Sequence, residues 1–323
     1  MNDAGPELSV VLVTDSYETI QTMLGYLRAQ SARDRLELVL VAPRGAHLDP
    51  HDPAVDGFRE VQLVEVDDLD DLPRARAQGV RAARAPLVMS AETHAFPDPT
   101  YAETLIEAHK DRWAVVGPAM ANANPQTMRS WAKLLVDYGP WVERRQRGVM
   151  SDVPGHNSVY KRSVLLEFGS ELEEKLKADS LFHEELRSKG HELYLEPAAR
   201  VAHLNLSRPL PWLVESFDSG RAFAALRSRG WSRPRRAVYA AGSPLIPVVR
   251  LSRIVRSVRA SAAAPGLLPR VLPALLGSLV TSAVGEFVGY ASGASGSSPR
   301  RLYWYELHKA RYVRPQEAPR AAS

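Results

Sequence analysis

Leu8-Ser9-Val10-Val11-Leu12-Val13-Thr14-Asp15-Ser16 decides the fold class. A β-branched apolar run ends in three short polar residues suited to capping a helix, and Ile20, Met23, Leu24 and Leu27 then recur at helical spacing. The stretch therefore predicts strand, turn, helix. Working outward, Leu36 to Val41 is a second apolar strand closed by Pro43-Arg44-Gly45, and Val61 to Val66 is a third. An alanine-rich helix, Arg74 to Arg84, leads into a fourth strand, Pro86 to Ser90. Thr100 to His109 predicts a helix, Trp113 to Pro118 a strand, Ser163 to Phe168 a short helix, Leu176 to Lys189 an amphipathic helix and Glu192 to Leu195 a further strand. Strands alternating with helices predict an α/β domain on a mostly parallel sheet flanked by helices, with ligands at the carboxyl strand ends.

Composition narrows the chemistry. The 323 residues include no cysteine, which excludes disulfides, thiolate zinc sites and cysteine nucleophiles, so any metal must be held by oxygen or imidazole. Met1 to Glu7 is polar and acidic, without the basic and apolar regions of a secretory signal, and predicts a protein that is not secreted. Net charge is +4 but unevenly placed: from Arg208 to Arg270 the only acids are Glu215 and Asp218. The composition shifts near Ser207 to arginine, alanine, leucine and proline, and Ala291 to Ser298 reads as a Gly/Ser linker. Three segments are expected: a catalytic domain at 1–207, a basic helical extension at 208–292, and a linker with a terminal segment at 293–323.

Taken in order, these pieces resemble family 2 glycosyltransferases, which share the nucleotide-diphospho-sugar transferase (GT-A) fold. Val10 to Tyr17 resembles the family's first strand and nucleotide-facing turn, and Ala83 to Ala91 the helix end and strand before its Asp-x-Asp motif. In that register Glu92 and His94 stand at the two aspartate positions, followed by Phe96-Pro97-Asp98-Pro99. Gly155-His156-Asn157 through Leu166 resembles the acceptor-side loop and helix. Asp179, counted back from Glu185-Leu186-Arg187-Ser188-Lys189-Gly190, takes the position of the catalytic base, and Pro197 to His203 that of the strand whose terminal histidine ligates metal. The chain departs from the family in Ala42-Pro43, where a base-reading aspartate is usual, and in the rewritten metal motif.

The resemblance implies an inverting transfer from a nucleotide-diphosphate sugar to a hydroxyl acceptor. Thr14, Asp15, Tyr17, Glu92, His94, His156 and Asn157 would line the donor site, and Glu92, His94 and His203 would hold a divalent metal. Separated by one residue on an extended segment, Glu92 and His94 would share a face beyond a strand end, and a carboxylate with imidazoles suits manganese better than magnesium. Surface-loop residues remain the alternative for that pair, a helix cap for Asp179 and a structural turn for His156 and Asn157. Glu174 is the reserve base. Asn122 and Asn124, with Trp131, Tyr138 and Trp141, offer an aromatic sugar platform, although a core role accounts for a tryptophan equally well. His183-Glu184 is not a zinc-protease motif, because Arg187 stands where a second histidine is required.

In the carboxyl third, Val248, Leu251, Val255 and Val258 form an aliphatic stripe with Arg250 and Arg253 pointing away, the pattern of a helix lying on an anionic membrane surface. Val271 to Gly285 is free of charge but falls short of the ~20 residues a span needs, so shallow insertion is expected rather than crossing. The expected location is cytoplasmic, at the inner face of the membrane, with a lipid-linked acceptor or a cell-surface glycan precursor. The arginines alternate with aliphatic rather than stacking residues, which argues against a nucleic-acid partner. A nucleotidyltransferase would carry a Gly-rich basic loop where Thr14 to Tyr17 stands. The alternative of another class is a catalytically silent sugar-nucleotide-binding protein at the membrane.

Overall fold

The computed structural model describes residues 5–261, 266–293 and 297–317. Parts of two sequence features, the acidic start at Met1 and the Gly/Ser stretch Ala291 to Ser298, lie outside the described residues. The elements run β1 (Leu8–Val13), α1 (Tyr17–Arg28), β2 (Leu36–Pro43), β3 (Glu60–Val66), α2 (Leu72–Ala82), β4 (Leu87–Ala91), β5 (Ala95–Pro97) and α3 (Tyr101–Ala108). They continue with β6 (Val115–Asn122), α4 (Met128–Tyr138), β7 (Gly148–Met150), β8 (Val159–Lys161), α5 (Arg162–Leu166), α6 (Leu172–Lys175), α7 (Asp179–Ser188) and β9 (Leu193–His203). Five helices follow: α8 (Pro209–Arg227), α9 (Arg233–Gly242), α10 (Ile246–Ala260), α11 (Leu267–Ser292) and α12 (Ser297–Leu307).

Local chemistry sets several boundaries. Ser16 caps α1 by accepting the Thr19 amide, and Asp71 caps α2 by accepting that of Arg74, with Pro73 in the first turn. β1 and β2 are buried almost throughout, as strands covered on both faces must be. The carboxylate of Glu37, wholly buried within β2, is satisfied by the Ser9 hydroxyl, the Gln62 amide at 2.6 Å and the Arg84 backbone amide at 2.8 Å. One acid therefore ties β1, β2, β3 and the end of α2 together.

The sheet order is β3-β2-β1-β4-β8-β6-β9-β5, with β7 against β9. β1 runs parallel to β2 and β4, and β2 parallel to β3. β8 pairs antiparallel with both β4 and β6, and β7 antiparallel with β9. The sheet is thus mixed, which corrects the expectation of a mostly parallel one. Helical crossovers return the chain for β2 and β4, whereas β8 is entered from a turn at 154–158 and must run against its neighbours.

Two compact units emerge from the contacts. The first comprises the described residues up to Ala121 with Arg145–Ala202, and holds most of the sheet; the second comprises Asn122–Arg144 and the chain from His203 on.

In the helical unit α11 packs along α8 and also touches α4, α9 and α10. Glycine permits the closest approach: a Cβ on Gly285 would lie 2.1 Å from the Phe217 carbonyl oxygen, and one on Gly220 would lie 2.1 Å from that of Ser282. Ser216 and Ser278 hydrogen-bond across this seam at 3.0 Å. α11 is long and apolar enough to cross a membrane by length and composition, a test that buried helices of soluble proteins also pass. Its outer face is an apolar stripe of Leu272, Leu276, Val280, Val284 and Phe287, all exposed, while Glu286 is turned inward to Arg250 at 3.6 Å. The stripe foreseen on α10 mostly faces inward: Val258 is buried beside Ile254, Leu251 and Val255 are half-buried, and Val248 alone of the four is exposed. Arg250, expected to point away, reaches in to Ser282, which leaves Val248, Val249, Arg253, Arg256 and Arg259 outside. Packing against α11 covers the apolar face that periodicity assigned to a membrane surface.

Candidate functional site

β1 and β4 lie side by side with Leu12 opposite Ala91, so the segments following them, Thr14 to Tyr17 and Glu92 to His94, leave the sheet at the same carboxyl edge. Glu92 and His94 are buried, with His94 Nε2 3.6 Å from Glu92 Oε1. They do not meet on an extended segment as expected. Thr93 and His94 form a tight turn in which the Ala95 amide donates to the Glu92 carbonyl, and the turn brings the two side chains together.

Asn157 fixes the glutamate. Its Nδ2 donates to Glu92 Oε2 at 2.6 Å, its Oδ1 accepts the Glu92 amide at 3.3 Å, and its own amide donates to Ser90 O at 2.9 Å. This double contact needs a left-handed backbone, φ 62°, which asparagine tolerates better than most residues. The Tyr101 hydroxyl donates to the Asn157 carbonyl, and burial, together with the Glu92 charge, holds that phenol well above its usual range. Asn157 therefore belongs to the group that orients Glu92.

One residue back, His156 Nε2 lies 3.1 Å from Arg76 Nη1 and 3.9 Å from Asp179 Oδ2. Asp179 is the first residue of α7 rather than its cap; Ala178 holds the cap position without a side-chain bond. The aspartate lies directly on Gly155, where an added Cβ would sit 1.9 Å from its Cγ. Only glycine leaves room for the carboxylate there. Arg76, on α2, is nine-tenths buried.

His203 ends β9, belongs to the helical unit and is buried. His203 Nδ1–H donates to Asn205 Oδ1 at 2.9 Å, because the Asn205 amide nitrogen already donates to Asn122 and to the His203 carbonyl. That fixes the tautomer and leaves the lone pair on Nε2, as a ligating histidine requires. The Glu92 carboxylate and the His94 imidazole, both buried and 3.6 Å apart, fit a divalent ion of the manganese-to-zinc series better than magnesium. Neither a scan of protein-family models nor a search of curated proteins returns a match to this chain. The site therefore has to be judged on its own chemistry.

The other expected residues are placed as follows. The Thr14 hydroxyl donates within its own turn, to Ser16 O at 2.7 Å; Asp15 accepts from Thr19 Oγ1 at 2.6 Å; the Tyr17 hydroxyl donates to Asp49 O at 2.5 Å. They shape the mouth of β1. Glu174 pairs with Lys177 at 2.9 Å on the surface. Tyr138 packs on the His203 ring at 4.8 Å, Trp141 is buried, and Trp131 donates to Pro125 O.

Arg76 was not foreseen, nor were Tyr101, Asp152 and Tyr160. Arg76 sits in an alanine- and arginine-rich run where nothing distinguishes one arginine from its neighbours. His183 carried a visible signal, a histidine on the apolar face of a helix, and is wholly buried.

Proposed function

We propose that this protein is a glycosyltransferase, inverting and metal-assisted, that moves a sugar from a nucleotide-diphosphate donor to a hydroxyl acceptor. One observation carries this reading: Glu92, His94, Asn157, His156 and Asp179, chosen from three separate stretches of sequence, converge at the carboxyl edge of the sheet. Glu92 and His94 would hold the metal, whose charge offsets the negative charge building on the departing diphosphate. Asp179 accepts the proton of the attacking hydroxyl. Its side chain is about one-third exposed, so an acceptor can reach it, while Arg76, donating to His156 Nε2 at 3.1 Å, brings a positive charge to this edge. Asn157 keeps the Glu92 carboxylate aimed at His94.

The acceptor in this reading is lipid-linked or otherwise presented at a membrane, and the protein works at the cytoplasmic face. The outer stripe of α11 and the exposed Arg253, Arg256 and Arg259 of α10 support this, since aliphatic side chains beside unopposed cations match the boundary of an anionic leaflet.

Turnover of nucleotide sugars, measured with manganese and with chelator, tests the metal. Wild-type turnover lost with chelator supports it; turnover that survives chelator removes it. No turnover or binding of any nucleotide sugar overturns the transferase reading.

A further inference from the structure

Behind Gly155 lies a buried polar chain that the proposed chemistry does not use. His183 Nδ1–H donates to Asp152 Oδ1 at 2.5 Å, and its Nε2 lies 2.8 Å from the Tyr160 hydroxyl, which donates to the Gly155 carbonyl at 3.0 Å. His183 is fully buried and Tyr160 nearly so. Neither can touch a substrate. What the chain does touch is Gly155, against which the Asp179 carboxyl packs.

We propose that Asp152, His183 and Tyr160 form a positioning relay that locks the 154–157 turn and so fixes where Asp179 and His156 meet the acceptor. This rests on the transferase reading for its purpose, but not for its geometry. The relay bridges three elements. Asp152 lies in the segment after β7, Tyr160 in β8 and His183 on α7, the helix that Asp179 begins. Asp152 sets the imidazole ring plane by taking Nδ1–H; the ring sets the phenol oxygen; the phenol holds the Gly155 carbonyl. Four residues after Asp179, His183 stands one turn along α7, so the same helix carries the carboxylate and the anchor of the turn it packs against. A shift of the turn without the helix, or of the helix without the turn, would break a hydrogen bond in a largely buried network, where such losses are costly. Apolar side chains would fill this space without desolvating an imidazole, so the gain from the polar chain is orientation.

Two arms test this. Tyr160→Phe removes one hydroxyl and retains the ring packing against Phe182. His183→Gln keeps a polar group near Tyr160 and loses the link to Asp152. If either variant unfolds, Asp152→Asn, at the half-exposed end of the chain, takes its place. In the first arm, amide exchange of Asn157, which donates to Ser90 O, should accelerate at least ~10-fold while the β1 amides are unchanged. Unchanged exchange over 154–158 overturns the relay whether or not any transfer is found. In the second arm, kcat for the best nucleotide-sugar and acceptor pair should fall ~10-fold or more, with donor Kd within about twofold of wild type. Wild-type kcat, or a loss confined to donor Kd, overturns the positioning role. A wild-type protein that turns over no nucleotide sugar defeats the transferase reading alone, and the exchange arm still decides whether the relay holds the turn.

Discussion

Gly155→Ala should disable the proposed base without touching it. An alanine Cβ at this position would lie 1.9 Å from Asp179 Cγ and 2.3 Å from Asp179 Cβ, whereas ordinary contact begins at 3.4 Å. The carboxyl group must therefore retreat by about 1.5 Å, and rotation of its end is not enough because its own Cβ is also too close. Misplacement of a reacting group by about 1 Å costs on the order of 10²-fold, so kcat should fall by at least that factor. Donor affinity should stay within about twofold, because Glu92 and His94 are held by Asn157 and by their own turn. Overpacking costs about 1–3 kcal/mol, which lowers the melting temperature but leaves a folded protein. Steady-state kinetics and calorimetric donor binding on Gly155→Ala, Asp179→Asn and the double variant give the answer. Asp179→Asn alone should lose ~10²-fold, and the double variant little more, since both remove one function. A folded Gly155→Ala protein with near-normal kcat would refute the placement of the base.

Four other outcomes are expected. Glu92→Ala and His94→Ala should each abolish manganese-dependent donor binding, measured by thermal shift with and without chelator; unchanged binding in both removes the metal assignment. Glu37→Ala should destabilise by about 3–5 kcal/mol in urea unfolding, because a buried hydroxyl, a side-chain amide and a backbone amide lose their acceptor together; a loss below about 1 kcal/mol would mean the site relaxes. His109 donates from Nε2 to Val159 O at 2.9 Å, and burial pushes its pKa down to about 4 from 6.5. Below pH 6.5 the unfolded chain takes up a proton that the folded one refuses until about pH 4, so stability present above pH 6.5 is lost as pH falls through that window. About 2 kcal/mol should disappear between pH 7 and 5, and His109→Gln should remove that dependence. Val280→Asp with Val284→Asp, on the outer stripe of α11, should abolish flotation with anionic vesicles while leaving the melting temperature within a few degrees; flotation equal to wild type would refute the membrane face.

The sequence by itself determined the order and type of most elements, since the periods of 2 and 3.6 that betray strands and helices are properties of neighbouring residues. It also marked the strand ends at Thr14 and Glu92, and with them Asn157, Asp179 and His203. Tertiary structure alone decided the rest. Whether β8 runs with or against β4 depends on a turn at 154–158 whose partners lie some 65 residues away, such as Asn157 on Glu92. That Glu92 faces His94 through a turn, that α10 buries Ile254 and Val258, and that one arginine of several, Arg76, reaches His156 are each settled by which surfaces become neighbours. The Asp152–His183–Tyr160 chain is the extreme case. Its three residues are 31 and 23 positions apart, bear no common motif, and gain their meaning from a buried environment in which every polar atom must find a partner.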